Sequence, residues 1–167
     1  KWREKIAPEI RRQGIFQHEW LLLKDKANNL GVELIGDLPI FISHHSADVW
    51  ANPELFQLDE EGLPTVVAGV PPDYFSETGQ KWNTVLYNWA EHEQTNWRWW
   101  RERMARMLRL FDVVRIDHFR GFHSAWAVPR EAADGIIGEW QDAPKERIVK
   151  VLVDVAGDES RIIAEDL

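Results

Sequence analysis

Residues 97–117 of the chain read WRWWRERMARMLRLFDVVRID, and this stretch decides the fold. Its apolar side chains recur at intervals of three and four residues from Trp97 to Phe111, a spacing that predicts one buried face of an α-helix. The short apolar run at residues 113–116 predicts a buried β-strand that leads directly to Asp117. The stretch therefore predicts a helix, a brief connection and a strand that ends on a carboxylate.

The same order of elements occurs on both sides of this stretch. Upstream, a helical pattern at residues 16–30 precedes a short β-branched run at residues 32–35. Downstream, a helical pattern between Pro144 and Gly157 precedes a run at residues 161–164. Repeated helix–strand units predict an α/β fold with a parallel sheet, whose strands are buried on both faces and therefore continuously apolar.

An acidic residue follows each of the three predicted strands. These residues are Asp37, Asp117 and Glu165. Because active sites of (β/α) barrels lie where the parallel strands end, we expect the three carboxylates on one rim. Taken alone, Asp37 could equally be a turn residue or a helix N-cap, but three strand-end acids in succession favour a functional site.

Two long segments interrupt the helix–strand pattern. Residues 42–92 are rich in Pro, Gly, Asp and Trp and lack a long helical period, so they predict an inserted, loop-rich subdomain above the strand ends. Residues 118–143 form a second, shorter insertion. Three strands cannot close a barrel, so residues 1–167 are expected to be a fragment of a larger barrel domain.

Composition excludes several classes of function. The formal net charge is -8 and no basic cluster is present, so we expect neither nucleic acid nor a membrane surface as a partner. The chain has no cysteine, and the neighbouring His44 and His45 point to opposite faces of an extended segment, so no metal site is predicted. The ten Trp residues suit an aromatic-walled cleft, although most of them are expected in the core.

A pair of carboxylates on neighbouring strand ends suits the chemistry of glycosidic bonds. One carboxylate attacks the anomeric carbon while the other, kept protonated, donates to the departing oxygen. A retaining mechanism needs the two groups roughly 5–5.5 Å apart, which adjacent strands allow. Magnesium sites on barrel rims also use strand-end acids, so the spacing leaves this alternative open.

Five strings occur in the order and spacing of one enzyme family: GDLPIF (36–41), SADVW (46–50), TVVAGVPPDYFSETGQKW (65–82), RIDHFRGF (115–122) and AEDL (164–167). Through them the chain resembles the 4-α-glucanotransferases, or amylomaltases, over essentially its whole length. The GVPPDYFSETGQ string is specific to that family, whereas R-x-D at a strand end is shared across the wider α-amylase clan. The resemblance implies part of a (β/α)8 TIM barrel, about strands 3 to 5.

The resemblance also implies a role for each matching residue. Asp117 matches the catalytic nucleophile and Glu165 the general acid/base, while Arg115 matches the arginine that keeps the nucleophile ionised. The remaining matches are substrate-binding positions: Asp37, His118, Trp82, and the pair Tyr74 and Phe75 at the tip of a lid loop, residues 69–80, that closes over bound glucan.

The implied activity is transfer of α-1,4-glucan segments between malto-oligosaccharides without a cofactor, in the cytoplasm. A hydrolase of the same clan and a non-catalytic glucan-binding module are the alternatives. The third catalytic acid of the family lies beyond Leu167, so the resemblance implies that residues 1–167 alone are inactive. The oligomeric state is not predicted.

Overall fold

The computed structural model describes residues 2–165, which form a mixed α/β arrangement. The helices are α1 (Trp2–Asn29), α2 (Ala47–Ala51), α3 (Trp89–Gln94), α4 (Arg98–Leu110) and α5 (Glu146–Ala156). The strands are β1 (Ile35–Pro39), β2 (Ile42–Ser43), β3 (Val66–Val70), β4 (Gln80–Val85), β5 (Val113–Asp117), β6 (Ser124–Pro129), β7 (Glu139–Asp142) and β8 (Ile162–Ala164).

The predicted parallel sheet is present, with strand order β1-β5-β8. In the register of β1 and β5, Asp37 lies opposite Arg115 and Pro39 lies opposite Asp117. Strand β8 pairs with the other side of β5. Within residues 2–165 the two outer strands each have one neighbour, so this sheet is open.

Strand β1 begins later than the sequence predicted. Residues 32–34 lie outside the strand, because the carboxylate of Asp112 accepts a hydrogen bond from the amide of Leu34, at 2.8 Å, and holds this segment as a loop. The strand therefore starts at Ile35. The expectation that Asp37 follows the strand was wrong, since Asp37 is the middle residue of β1.

The expectation of strands buried on both faces was also wrong. Buried residues alternate with accessible ones along β1 and β5, so the pleat separates two faces. Leu38, Val114 and Ile116 lie in the core, and α4 contacts both strands there. The accessible face carries the polar side chains of Asp37, Arg115 and Asp117.

A second sheet is antiparallel, with strand order β2-β4-β3-β6-β7. Its first three strands come from residues 42–85, and its last two from residues 124–142. The ladder between β3 and β6 runs from the pair Val66–Pro129 to the pair Gly69–Trp126. The two long segments of the sequence are therefore joined by backbone hydrogen bonds.

An aromatic core lies between the second sheet and helix α4. Trp97, Trp99 and Trp100 are all buried there, as expected for the core, and Trp100 packs against Tyr87 at 5.2 Å and Phe122 at 5.1 Å between ring centroids. Helix α5 ends at Ala156, and Gly157 follows in the left-handed conformation, which confirms the predicted helix stop.

Helix α1 extends much further towards the amino terminus than the predicted helical pattern. No residue of α1 is buried, but its second half is attached to the end of α4. The indole of Trp20 donates to the carbonyl of Leu110 at 2.8 Å, and Lys24 donates to the carbonyl of Phe111 at 2.8 Å. None of the helices within residues 2–165 is both long and apolar enough to cross a membrane.

His92 gives the core a dependence on pH that can be measured. Its ring is fully buried among aromatic side chains, and burial lowers its pKa to about 4 from the usual 6.5. Acid therefore protonates the unfolded chain first, so we expect about 2–3 kcal/mol of stability to be lost between pH 7 and pH 4.5 because of this group. Denaturant unfolding of the protein at both pH values, compared with His92→Phe, isolates this contribution; an identical pH dependence in the variant would contradict it.

Candidate active site

Arg115 lies at the centre of the candidate site and contacts all three predicted acids. Its Nη1 atom donates to Asp37, and its Nη2 atom donates to both Asp117, at 2.9 Å, and Glu165. The strand register explains the geometry, because Asp37 lies opposite Arg115 and Asp117 lies two residues further along the same face. The structure therefore brings Asp37, Arg115, Asp117 and Glu165 together.

The backbone of His118 provides a second hydrogen bond to Glu165. His118 follows directly after β5 and adopts a left-handed conformation with φ 54°, which is uncommon for a residue with a side chain. Its amide donates to Oε2 of Glu165 at 2.7 Å, while its ring is buried, with Trp82 perpendicular to it at a centroid distance of 4.9 Å. Unusual backbone conformations of this kind concentrate at functional sites.

One guanidinium cannot neutralise three carboxylates, and Asp117 and Glu165 are neighbours because both accept from Nη2 of Arg115. Burial, and then the neighbouring Glu165, raise the pKa of Asp117. The hydrogen bond from the amide of His118, followed by the one with Asp117, lowers the pKa of Glu165.

The directions of the two pKa shifts differ from what the sequence predicted, since a nucleophile Asp117 requires a lowered pKa and an acid Glu165 a raised one. Burial also lowers the pKa of His118, with a smaller effect from the charge of Arg120, so that ring is neutral near pH 7.

The lid loop connects β3 to β4 and has a narrow, tightly packed base. Gly79 has a φ of 64°, and Gly135 donates from its amide to the carbonyl of Thr78 at 3.0 Å. A Cβ atom on Gly135 would lie 2.6 Å from both the amide nitrogen of Gln80 and the carbonyl oxygen of Val70. Residues of the second long segment therefore support the loop from behind.

The tip of the lid loop points away from the rest of the protein. Tyr74 is 96% exposed and Phe75 is 91% exposed, and their rings contact each other edge to face at 5.6 Å. The carboxylate of Asp73 fixes the turn by accepting hydrogen bonds from the amides of Phe75 and Ser76. Such a turn presents two aromatic rings to solvent on an ordered backbone.

A groove of about 520 Å³ extends from His118 to the lid loop. Phe75, Trp82 and His118 line it, whereas Tyr74 is not among the groove residues. Six further lining residues were not predicted as site residues: Val70, Pro71, Asp73, Gln80, Arg120 and Trp140. Arg120 lies within the RIDHFRGF string, where it could have been singled out, but Trp140 has no sequence signal of its own.

The chain is thus a mixed α/β protein with acidic side chains gathered at the end of the central strand of its parallel sheet. The chain belongs to the 4-alpha-glucanotransferase family, whose sequence profile matches residues 1–167. It is 48% identical over 164 residues to a 4-alpha-glucanotransferase of Thermus thermophilus, covering 98% of this chain and 33% of that protein.

Two further comparisons agree with this assignment. A chloroplastic/amyloplastic 4-alpha-glucanotransferase of Solanum tuberosum is 46% identical over 158 residues, which cover 95% of this chain and 27% of that protein. The structure of an amylomaltase from Streptococcus agalactiae in complex with acarbose superposes with a TM-score of 0.91 at 38% identity, covering 99% of this chain and 34% of that one. The chain thus spans about a third of the length of the relatives it matches.

The shared proton of the carboxyl pair can be tested by replacing one partner. In Glu165→Gln, we expect the pKa of Asp117 to fall, because the substitution removes the neighbouring carboxylate that raises it. Carbon-13 NMR titration of aspartate carboxyls, assigned with Asp117→Asn, measures the change. Glu60→Gln, which alters an exposed acid in a distant turn, is the matched control. An unchanged Asp117 titration in Glu165→Gln would show that the two groups are not coupled.

The support of the lid loop can be tested at Gly135. We expect Gly135→Ala to destabilise the protein by about 1–3 kcal/mol, because the new methyl group meets backbone atoms that cannot move aside. Gly14→Ala is the control, since Gly14 lies on exposed helix α1 with no atom within 4 Å of an added Cβ. There we expect unchanged or higher stability in denaturant unfolding, and equal losses in both variants would contradict this account.

Proposed function

We propose that this chain carries the nucleophile and the general acid/base of a 4-α-glucanotransferase that acts on malto-oligosaccharides. The observation that supports the proposal most directly is the bonding of Arg115 to Asp117 and Glu165 at the end of the central strand. Family membership over residues 1–167 supports the reaction class. Substrate recognition is proposed for Asp37, Tyr74, Phe75, Trp82, Arg115 and His118.

The proposed reaction is a double displacement. The carboxylate of Asp117 forms a bond to the anomeric carbon while the glycosidic carbon–oxygen bond breaks, and the proton of Glu165 passes to the departing oxygen. In the second half, Glu165 takes the proton of an incoming 4-hydroxyl group. That hydroxyl oxygen then displaces Asp117 and completes a new α-1,4 bond. A water molecule in place of the sugar hydroxyl would give hydrolysis instead.

These roles need Asp117 ionised and Glu165 protonated, whereas in the free site the pKa of Asp117 is raised and that of Glu165 is lowered. We infer that a sugar seated between the two carboxyl groups separates them. Asp117 then loses the contact with Glu165 that raises its pKa but keeps Arg115, which lowers it.

The aromatic groups of the groove have a proposed part in choosing the acceptor. Phe75 and Trp82 would stack on the flat faces of glucose units, as aromatic rings do with sugars. With Tyr74 and Phe75 closed over the acceptor, the lid loop would exclude water and favour transfer over hydrolysis. The lid role is part of this proposal. So is the division of the chain into a barrel fragment, residues 1–167, and an inserted subdomain, residues 42–92.

The proposal places the parallel sheet β1-β5-β8 as about strands 3 to 5 of a (β/α)8 TIM barrel, completed by chain outside residues 1–167. The open edges of β1 and β8 are available for the neighbouring strands of such a barrel. The third catalytic acid would come from the same outside region. A cytoplasmic location for the whole protein stays a prediction.

Incubation of the full-length protein with maltotriose tests the function. We expect glucose and longer oligosaccharides to form, and Asp117→Asn and Glu165→Gln to slow the reaction by about 10²–10⁴-fold or more, because each removes a reacting group. Glu60→Gln should retain full activity. Chromatography of the products measures both hydrolysis and transfer.

Each alternative predicts a different product pattern in the same experiment. Maltose and glucose without longer products would mean hydrolysis, whereas binding of maltotriose without any conversion would mean a glucan-binding module. Full activity in Asp117→Asn or Glu165→Gln would mean that the reacting groups lie elsewhere.

A further inference from the structure

Arg120 and Trp140 form an exposed pair that lines the groove. The guanidinium of Arg120 lies over the indole of Trp140, 4.1 Å from the ring centroid. Trp140 is 45% exposed, although it is a large aromatic residue, and both side chains line the same groove as Trp82 and His118. The pair therefore extends the candidate active site beyond the residues assigned to it so far.

The guanidinium of Arg120 is not used for internal structure. Among residues 2–165, the hydrogen bonds and ion pairs of the arginine side chains include none from Arg120. Arg103 provides a contrast, because it also lies over indole rings, those of Trp99 and Trp100, but donates to the carbonyl of Pro39 at 2.8 Å. The planar donors of Arg120 are therefore available to a ligand.

Rigid elements hold both members of the pair. Trp140 lies opposite Trp126 in the ladder of β6 and β7, and the Trp126 indole is itself fixed by donating to the carbonyl of Gly135 at 2.9 Å. Arg120 belongs to a 3-10 turn, Phe119–Phe122, in which the carbonyl of Arg120 accepts from the amide of His123 at 2.8 Å. This turn begins directly after His118, so Arg120 lies close in sequence to Asp117.

The charges around the groove favour a neutral ligand over an anion. Asp73 also lines the groove, and the three carboxylates around Arg115 lie beyond His118. An anionic polymer would be repelled by these groups. A neutral sugar chain needs flat apolar surfaces and hydrogen-bond donors for its hydroxyl groups, and the Trp140–Arg120 pair offers both.

We propose that Arg120 and Trp140 form a subsite for a glucose unit distant from the cleaved bond, so that they determine preference for longer α-glucans. Arg120 donates hydrogen bonds to the sugar hydroxyls, and Trp140 holds the guanidinium in position and contributes apolar surface. The inference rests on the proposed function, since it extends the same groove. A substrate too short to extend from Asp117 along the groove to Arg120 and Trp140 would not reach the pair.

The test compares maltotriose and maltoheptaose as substrates of the full-length protein. For Arg120→Gln, we expect kcat/KM for maltoheptaose to fall about tenfold, the effect of losing one hydrogen bond to a charged group. The loss should appear as a higher KM, because the pair contacts the substrate equally in the ground state and in the transition state. With maltotriose, the change should stay within about twofold. Arg120→Lys, which keeps the charge but not the planar donors, should fall between wild type and Arg120→Gln.

Variants of Trp140 separate binding from folding. Trp140→Phe keeps a ring and should lose less than Trp140→Leu, and circular dichroism identifies a variant that fails to fold. Trp50→Leu is the matched control, since Trp50 is an exposed indole, at 86%, that does not line this groove, and we expect it to leave both substrates unaffected.

The outcomes test the proposed subsite separately from the proposed reaction. Equal losses on short and long substrates, or no loss on either, would overturn the subsite while leaving the proposed function intact. If the wild-type protein converts no glucan, the proposed function fails. Calorimetric measurement of maltoheptaose binding then tests whether the subsite exists. Weaker binding by Arg120→Gln and Trp140→Leu would then support it, and unchanged binding would overturn it.

Discussion

The candidate site depends on the bonding of one guanidinium to three carboxylates. Arg115 lies on the middle strand of the parallel sheet, and each neighbouring strand brings an acid within reach, Asp37 from β1 and Glu165 from the end of β8. The side chain of Arg115 is one-third exposed, so these ion pairs contribute little to stability. They serve to align the strand ends, because a shift of one residue in either register would move an acid to the opposite face of the sheet.

The sequence predicts the parts of this site that follow from local spacing. Arg115 and Asp117 are two residues apart on a strand, so they share a face whatever surrounds them. The position of Asp37 was wrong because the start of β1 depends on Asp112, which is distant in sequence. The resemblance to the 4-alpha-glucanotransferases was confirmed by the match over residues 1–167. Trp140 could not be predicted, because its place follows from the pairing of β6 and β7.

The ionisation of the two reacting groups is a property of the assembled site that no motif contains. The pKa of Glu165 is lowered first of all by a backbone amide, that of His118, which points at it from an uncommon left-handed residue. The pKa of Asp117 is raised because Asp117 is partly buried beside another carboxylate. Both directions depend on neighbours that the strand-end position of an acid does not reveal.

The ladder between β3 and β6 has a consequence for how this family diversifies. The lid loop leaves from β3, and Trp140 lies on β7, which pairs with β6, so one continuous sheet carries both the lid loop and a lining residue of the groove. A change in length or twist of either segment is transmitted through that ladder to the other. Natural variants and laboratory chimaeras should therefore take both segments from the same parent. Substrate preference should change when the whole sheet is exchanged rather than a single loop.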